Sequence, residues 1–324
     1  MIEIEFSDPT SVMNSDILSY MEVALIDGLY EPPIPFDTLA KALRANPMHS
    51  SAIEFKRNTL AYSVSLAPVL SKGELKRFIQ DFLTFGNGYF QIVRNLFGAV
   101  VQIKHIPALY MRRREDLGYT YKPKAYDDDG RIDYRDGQIF HLAEYDVAQE
   151  IYGLPQHISG LTSIWLSDDA TLFRRQYYRN GSHAGYLLYL NEPTMTEKQE
   201  QAIRDKLTAK EGMAFKNLFV NGKGKDSKAP ELKPIGQVEA KDAFKDIKNS
   251  TTNDVLSVHR VPLELMSIQR EGFSTSNDLN KVDRIFHKNE LLPLVDSMME
   301  LNEFVGMEVI KVNEYEALET MVTQ

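Results

Sequence analysis

Residues 140–190 read FHLAEYDVAQEIYGLPQHISGLTSIWLSDDATLFRRQYYRNGSHAGYLLYL, and the order of breakers and apolar positions in this stretch decides how the rest of the chain is read. Pro155 introduces a long segment in which Leu161, Ile164, Trp165, Leu172, Phe173 and Tyr177 recur at helical spacing, which predicts one long helix. Asp168 and Asp169 precede Arg174, Arg175 and Arg179, a polarity that suits the helix dipole, and Asn180-Gly181 stops the helix. GYLLYL, from Gly185, then reads as a strand.

Downstream, Thr194 and Glu197 form a capping box opening the helix TEKQEQAIRDKLTAK. NLFV, the turn Asn221-Gly222, a lysine-rich hairpin loop and LKPIGQV follow, so residues 184–238 read as a compact unit of strands with one helix. A helix over 240–260, a Gly/Ser/Asn-rich loop at 267–280 and a final helix from Lys281 to about Leu301 follow. Upstream, Asp129-Gly130 and Asp136-Gly137 supply hairpin turns among short strands over 88–142, which predict a mixed sheet with flanking helices. Leu75, Phe78, Ile79, Phe82 and Leu83 make one apolar stripe from Lys72 to Phe85, and Gly86 ends that helix. The pattern is helical from Phe36, interrupted at Pro47; the segment before it contains EPPIPF at 31–36, which cannot be regular helix, and residues 1–35 read as an extended arm.

The 324 residues favour two or three modules, and 43% hydrophobic with 26% charged residues argues for a folded chain. With no cysteine there is no disulfide, thiolate metal site or cysteine nucleophile. No apolar run approaches the roughly 20 residues of a membrane span, and the start MIEIEFSDP lacks the features of a signal peptide, so the expectation is a soluble, cytoplasmic chain. A net charge of −9 argues against a protein that grips nucleic acid, while permitting a conduit along which a polyanion slides.

Catalytic motifs are mostly absent. GKGKDSK at 222–228 lacks the spacing of a phosphate-binding loop. The histidines at 49, 105, 141, 157, 183, 259 and 287 are far apart, so a metal site could arise only by folding. The aspartates at 127–129 precede Gly130 with Ala125 at the first ligand position of a calcium loop, which favours a hairpin turn. GSHAG at 181–185 carries His183 where a nucleophile elbow needs serine. The remaining enzymatic reading is a metal-dependent nuclease or hydrolase using Asp127, Asp128, Asp129 and His141. No catalytic, cofactor or metal residue is otherwise expected.

Residues 140–190 resemble the portal proteins of P2-like tailed bacteriophages and related prophages over nearly their whole length. FGNGYFQIVRNLFGAVVQIKHIPALYMRRR at 85–114, NLFVNGKGKD at 217–226, IKNSTTNDVLSVHRVPLELM at 247–266, and the later RIFHKNELLPL and LNEFVGMEVI are similar too. The resemblance covers most of residues 36–312. Leu263 follows Pro262 where many relatives have a second proline, Ser267 stands where glycine is common, and the loop after it is short.

The resemblance implies an α+β portal fold: an arm (1–35), a wing of mixed sheet and helices (36–153), a first stem helix (154–183), a small α/β clip (184–238), a second stem helix (239–261), and then a tunnel loop, a wing and channel helix and a short tail (262–324). It implies a ring of about twelve identical subunits at one capsid vertex, the head-tail connector through which DNA is packaged and ejected without sequence specificity. Implied partners are terminase, head-completion and connector proteins, and capsid and scaffold proteins, with the chain in the virion and, during assembly, in the host cytoplasm. The tunnel loop would present Gln269, Arg270, Ser274, Thr275, Ser276, Asn277 and Lys281 to DNA. The clip would offer Lys223, Lys225 and Lys228 to terminase, and Trp165, Phe173, Tyr177 and Tyr178 would sit between subunits.

Overall fold

The computed structural model describes residues 24–123, 130–179, 186–190, 195–208, 218–221, 231–234, 240–266 and 279–315. In chain order these form β1 (Leu25–Ile26), β2 (Leu29–Tyr30), α1 (Phe36–Ala45), α2 (Pro47–Tyr62), β3 (Val64–Leu66), α3 (Lys72–Phe85), β4 (Asn87–Arg94), β5 (Val100–Ile106), β6 (Met111–Arg114), β7 (Tyr119–Tyr121), β8 (Ile132–Tyr134) and β9 (Ile139–Ala143). There follow α4 (Leu161–Arg179), β10 (Tyr186–Leu190), α5 (Glu197–Thr208), β11 (Leu218–Asn221), β12 (Glu231–Pro234), α6 (Ala240–His259), α7 (Leu279–Phe286), α8 (Leu292–Val305) and β13 (Ile310–Val312). The chain is α+β.

It packs as two units. One holds the residues up to Trp165 and from Thr252 onward, the other Leu166–Thr251, so the boundaries fall inside α4 and α6.

In the first unit, α3 illustrates how local sequence sets a helix. Ser71 accepts from the Glu74 N–H, satisfying one of the free donors of the first turn. Leu75, Phe78, Ile79 and Phe82 bury one face, and Gly86 closes the helix at φ 68°. A side chain at Gly86 would also collide with the next layer, since a Cβ there would stand 2.4 Å from the carbonyl carbon of Leu154. That close approach is held by Asn87, whose amide donates to the carbonyls of Phe85 and Gly153 and whose Oδ1 accepts from the Gly153 N–H and the His141 ring. Asn87→Ala strips four bonds from a buried site and is expected to cost about 2–3 kcal/mol in chemical denaturation.

The strands of 88–142 form two antiparallel sheets rather than the one mixed sheet expected, in the orders β5-β4-β9 and β1-β2-β6-β7-β8. The turn at Asp136-Gly137 therefore closes no hairpin: β8 pairs with β7, while β9 crosses to β4. Asp129 lies outside the described residues. Nor is 1–35 an extended arm throughout. Asp27 and Gly28, at φ 51° and 72°, make the doubly left-handed turn of a two-residue hairpin, which pairs β1 with β2 and sets β2 beside β6.

Two apolar clusters fill this unit. One gathers α3, β4 and α8, with Phe78 and Phe90 stacked at 4.1 Å. The other gathers Phe36, Leu39, Phe85, Tyr89, Met111 and Tyr152 with Leu161 and Ile164 of α4 and Val255 of α6. The closing helix is not continuous from Lys281. It begins at Leu279 and is broken by a π turn over His287–Leu291 ahead of Pro293, which has no N–H for the helical ladder and crowds the carbonyl four residues back.

In the second unit β10 is the central strand, parallel to β11 and antiparallel to β12. β11 and β12 flank β10 and do not pair with each other, so NLFV and the strand after it do not form the hairpin expected; the lysine-rich segment between them lies outside the described residues. The helix cap lies two residues later than expected: the Thr196 N–H donates to Gln199 Oε1 at 2.9 Å, with Glu197 the first residue of α5. Thr194 is outside the described residues.

Candidate functional site

The expected site residues fall in several places. Gln269, Arg270, Ser274, Thr275, Ser276 and Asn277 lie outside the described residues, as do Lys223, Lys225, Lys228, the Asp127–Asp129 triplet, Asn180, Gly181 and His183. Lys281 is an exposed residue of the first turn of α7. Tyr177 and Tyr178 are on α4. His141 is no free base: its Nε2 is bonded to Asn87 Oδ1 and its ring stacks on Tyr89 at 4.3 Å.

The helix α4 changes character along its length. Leu161 and Ile164 are buried and Trp165 packs half-buried against the same subunit's core, whereas Leu166 and Leu172 are 49% and 52% exposed. The apolar stripe read from the sequence thus continues past Trp165 with its Leu172 position facing solvent, and Phe173 is only partly covered. Asp168 and Asp169 stand in the eighth and ninth positions of α4, whose first turn carries no acid, so they lie beyond the reach of the N-terminal dipole expected to favour them.

The stretch VHRVP forms the C-terminal end of α6. Arg260 takes a left-handed φ of 54°, the Val261 N–H reaches back to the Leu256 carbonyl, and Pro262 stops the helix. A non-glycine residue in that region carries about 1–3 kcal/mol of strain. At this helix end His259 is buried and Arg260 stands 3.4 Å from Glu290.

Glu290 lies on the π turn and meets Lys56 of α2 at 2.5 Å, both almost fully buried. Burial pushes the Lys56 ammonium below its ordinary range, and the facing Glu290 carboxylate works against that shift. Beside this pair three imidazoles meet: His49 from the first turn of α2, His157 from the 3-10 turn Gln156–Gly160, and His259. Asn46 fixes the first by capping α2, its Oδ1 accepting from the N–H groups of Met48 and His49. The His49 Nδ1 and His259 Nε2 lie 2.7 Å apart. Burial holds His49 down to about 4 and His259 to about 2; it holds His157 well below its ordinary range, with the charges of its neighbours acting the same way.

Sequence reasoning missed this cluster. One signal was present: Lys56 occupies a core position of α2 between Ile53 and Leu60, where a cation is sustained only by a buried partner. That partner and His259 are 234 and 203 residues away.

Comparison with known proteins agrees with the motif resemblance. The sequence model of the family described as "Phage portal protein" matches residues 70–306. The chain is 38% identical over 314 residues to the probable portal protein of Escherichia phage P2, covering 96% of this chain and 90% of that protein. It is 32% identical over 297 residues to the probable portal protein of Haemophilus phage HP1, covering 90% and 86%. Among solved structures, a chain in the neck of a native gene transfer agent particle, computed with C12 symmetry, is similar with a TM-score of 0.64 at 15% identity, over 95% of this chain and 92% of that one. The crystal structure of an HK97 family phage portal protein from Corynebacterium diphtheriae gives 0.60 at 13%, over 85% and 94%. Sequence identity sustained through nearly the whole length, together with a family match across residues 70–306, establishes that the chain belongs to the phage portal protein family.

Proposed function

We propose that about twelve copies of this chain close into a ring at one capsid vertex, through which double-stranded DNA is packaged and later ejected. The observation that carries this reading is the sustained likeness to phage portal proteins, in sequence to the P2 relative and in fold to the neck and portal structures. The exposed Leu166 and Leu172 of α4 support it: in this reading they, together with Phe173, Tyr177 and Tyr178 of the same helix, would bury against a neighbouring copy, a head-to-tail contact that a rotation closes. Trp165, half-buried on its own subunit, would contribute its exposed edge.

In this reading residues 36–153 are the wing, 154–183 and 239–261 the two stem segments, 184–238 the clip, and 262–324 the tunnel loop, channel helix and tail. The clip, with Lys223, Lys225 and Lys228, would dock terminase and later the head-completion proteins. The tunnel loop, from Gln269 to Lys281, would touch passing DNA with small and polar groups that hold no single register. The chain would be made in the host cytoplasm and finish in the virion, with a structural role and no turnover of its own.

Native mass spectrometry and negative-stain imaging test the reading. Closed multimers of about twelve subunits are expected; a chain that stays single at all concentrations and in virion fractions overturns it. Arg270→Ala with Lys281→Ala is expected to leave the ring intact while changing the yield of packaged DNA, and loss of the ring itself would refute the loop assignment.

A further inference from the structure

The three buried imidazoles beside the Lys56–Glu290 pair have no role in the portal reading. They come from segments far apart in sequence, within one unit, and their exposures are 0%, 1% and 4% for His49, His157 and His259. Ring centroids stand 4.5, 4.9 and 5.3 Å apart, and one nitrogen from each ring lies within 4.8 Å of those of the other two. Nε2 of His49 and Nε2 of His157 are buried without a hydrogen-bond partner. A buried polar atom left unpaired is costly, and the unpaired Nε2 of His157, beside two further imidazoles, calls for a partner. A small cavity lined by His157, His259, Lys56 and Glu144 adjoins them, with room for about one water.

We propose that His49, His157 and His259 bind one divalent transition-metal ion of the zinc type, which ties the start of α2, the turn before α4 and the end of α6 together. Imidazole is a favoured ligand of such ions, and three protein nitrogens with one position left for water or a carboxylate is an ordinary zinc arrangement. His49 Nδ1 and His259 Nε2 stand 2.7 Å apart, one donating to the other, and an ion held by both nitrogens needs that proton moved to the other nitrogen of its own ring, which stays neutral. Tetrahedral coordination at about 2.0–2.1 Å needs ligand nitrogens about 3.4 Å apart, so those two rings must part by under 1 Å.

The charges around the site are compatible with a cation. The Lys56 ammonium is neutralised by Glu290 at 2.5 Å, and Glu144 brings a carboxylate to the adjoining cavity. Arg260 lies on the far oxygen of Glu290 with its own side chain 64% exposed, where solvent screens it.

The test is to strip the purified full-length protein with chelator, titrate it with zinc chloride alone by calorimetry, and repeat with cobalt(II), whose visible absorption reports tetrahedral nitrogen coordination. One ion per chain, a raised unfolding temperature that chelator reverses, and loss of at least about a hundredfold in affinity in His157→Gln and His259→Gln would support the site, that loss being at the upper end of what outer-shell changes alone produce. Zinc binding that survives in both variants, or a wild-type chain that takes up no zinc or cobalt and whose melting does not respond to either, overturns it. Should the variants fail to fold, the wild-type stoichiometry, chelator response and cobalt spectrum decide between the same two outcomes.

Discussion

In metal-free buffer, lowering the pH from 7 to 5.5 is expected to cost the folded chain about 4 kcal/mol. The sign follows from which state binds protons. Unfolded, His49, His157 and His259 titrate near 6.5; folded, burial holds them far lower, His49 at about 4 and His259 at about 2. The stabilising contribution is therefore complete above pH 6.5 and is lost as pH falls, because the unfolded chain takes up protons that the folded one refuses. At pH 5.5 each ring contributes roughly 1–1.5 kcal/mol of that loss, and His141, held at about 3 by burial and the Arg113 charge, adds in the same direction. Chemical denaturation at several pH values measures the slope, and a stability flat between pH 7 and 5.5 would contradict the buried, neutral cluster. Against a total of about 5–15 kcal/mol for an ordinary domain, the expected loss is large.

The second large effect lies beside the first. Lys56→Ala or Glu290→Ala leaves its partner charged, buried and unpaired, and each is expected to destabilise the chain by about 3–5 kcal/mol. The pair itself is a different matter. Bringing two charges out of water costs about what their attraction returns, so the double change Lys56→Met with Glu290→Leu is expected to recover most of the loss in urea denaturation. Equal losses in the single and double variants would mean that the pair stabilises the junction outright. Glu290→Ala has one more consequence, since it also frees Arg260 from the contact that accompanies its left-handed backbone.

Local signals were legible wherever one segment contained its own explanation. The stripe of Leu75, Phe78, Ile79 and Phe82 and the glycine beyond it bound α3 to Lys72–Phe85, and the structure adds the Ser71 cap. Strand partners were not legible in the same way. Asp27-Gly28 and Asp136-Gly137 carry the same turn signal, yet only the first closes a hairpin, because β8 pairs with β7 while β9 pairs with β4. The π turn before Pro293 was not legible: the apolar pattern reads as one helix from Lys281 to about Leu301, with nothing to mark the change of ladder. Least legible was the junction of Lys56, Glu290 and the three histidines, since a cluster joined across more than 200 residues leaves no spacing to read. The family resemblance reached the portal fold by another route, through whole stretches of sequence, and gave none of these side chains a task.

The first unit is discontinuous, and that has a bearing on how the chain is born. A ribosome releases the residues up to Trp165, then all of Leu166–Thr251, before it makes Leu256, Phe286, Leu291, Val295 and Met298, which complete the cluster around Phe78 and Phe90. β3 waits longer still, because its partner strand begins at Ile310. During synthesis the apolar faces of α2 and α3 therefore lack the cover of α8 and β13 while more than two hundred further residues emerge, a period of about 10–40 s at ordinary elongation rates. Nascent chains in that window are candidates for chaperone capture, and folding is delayed until the last strand arrives.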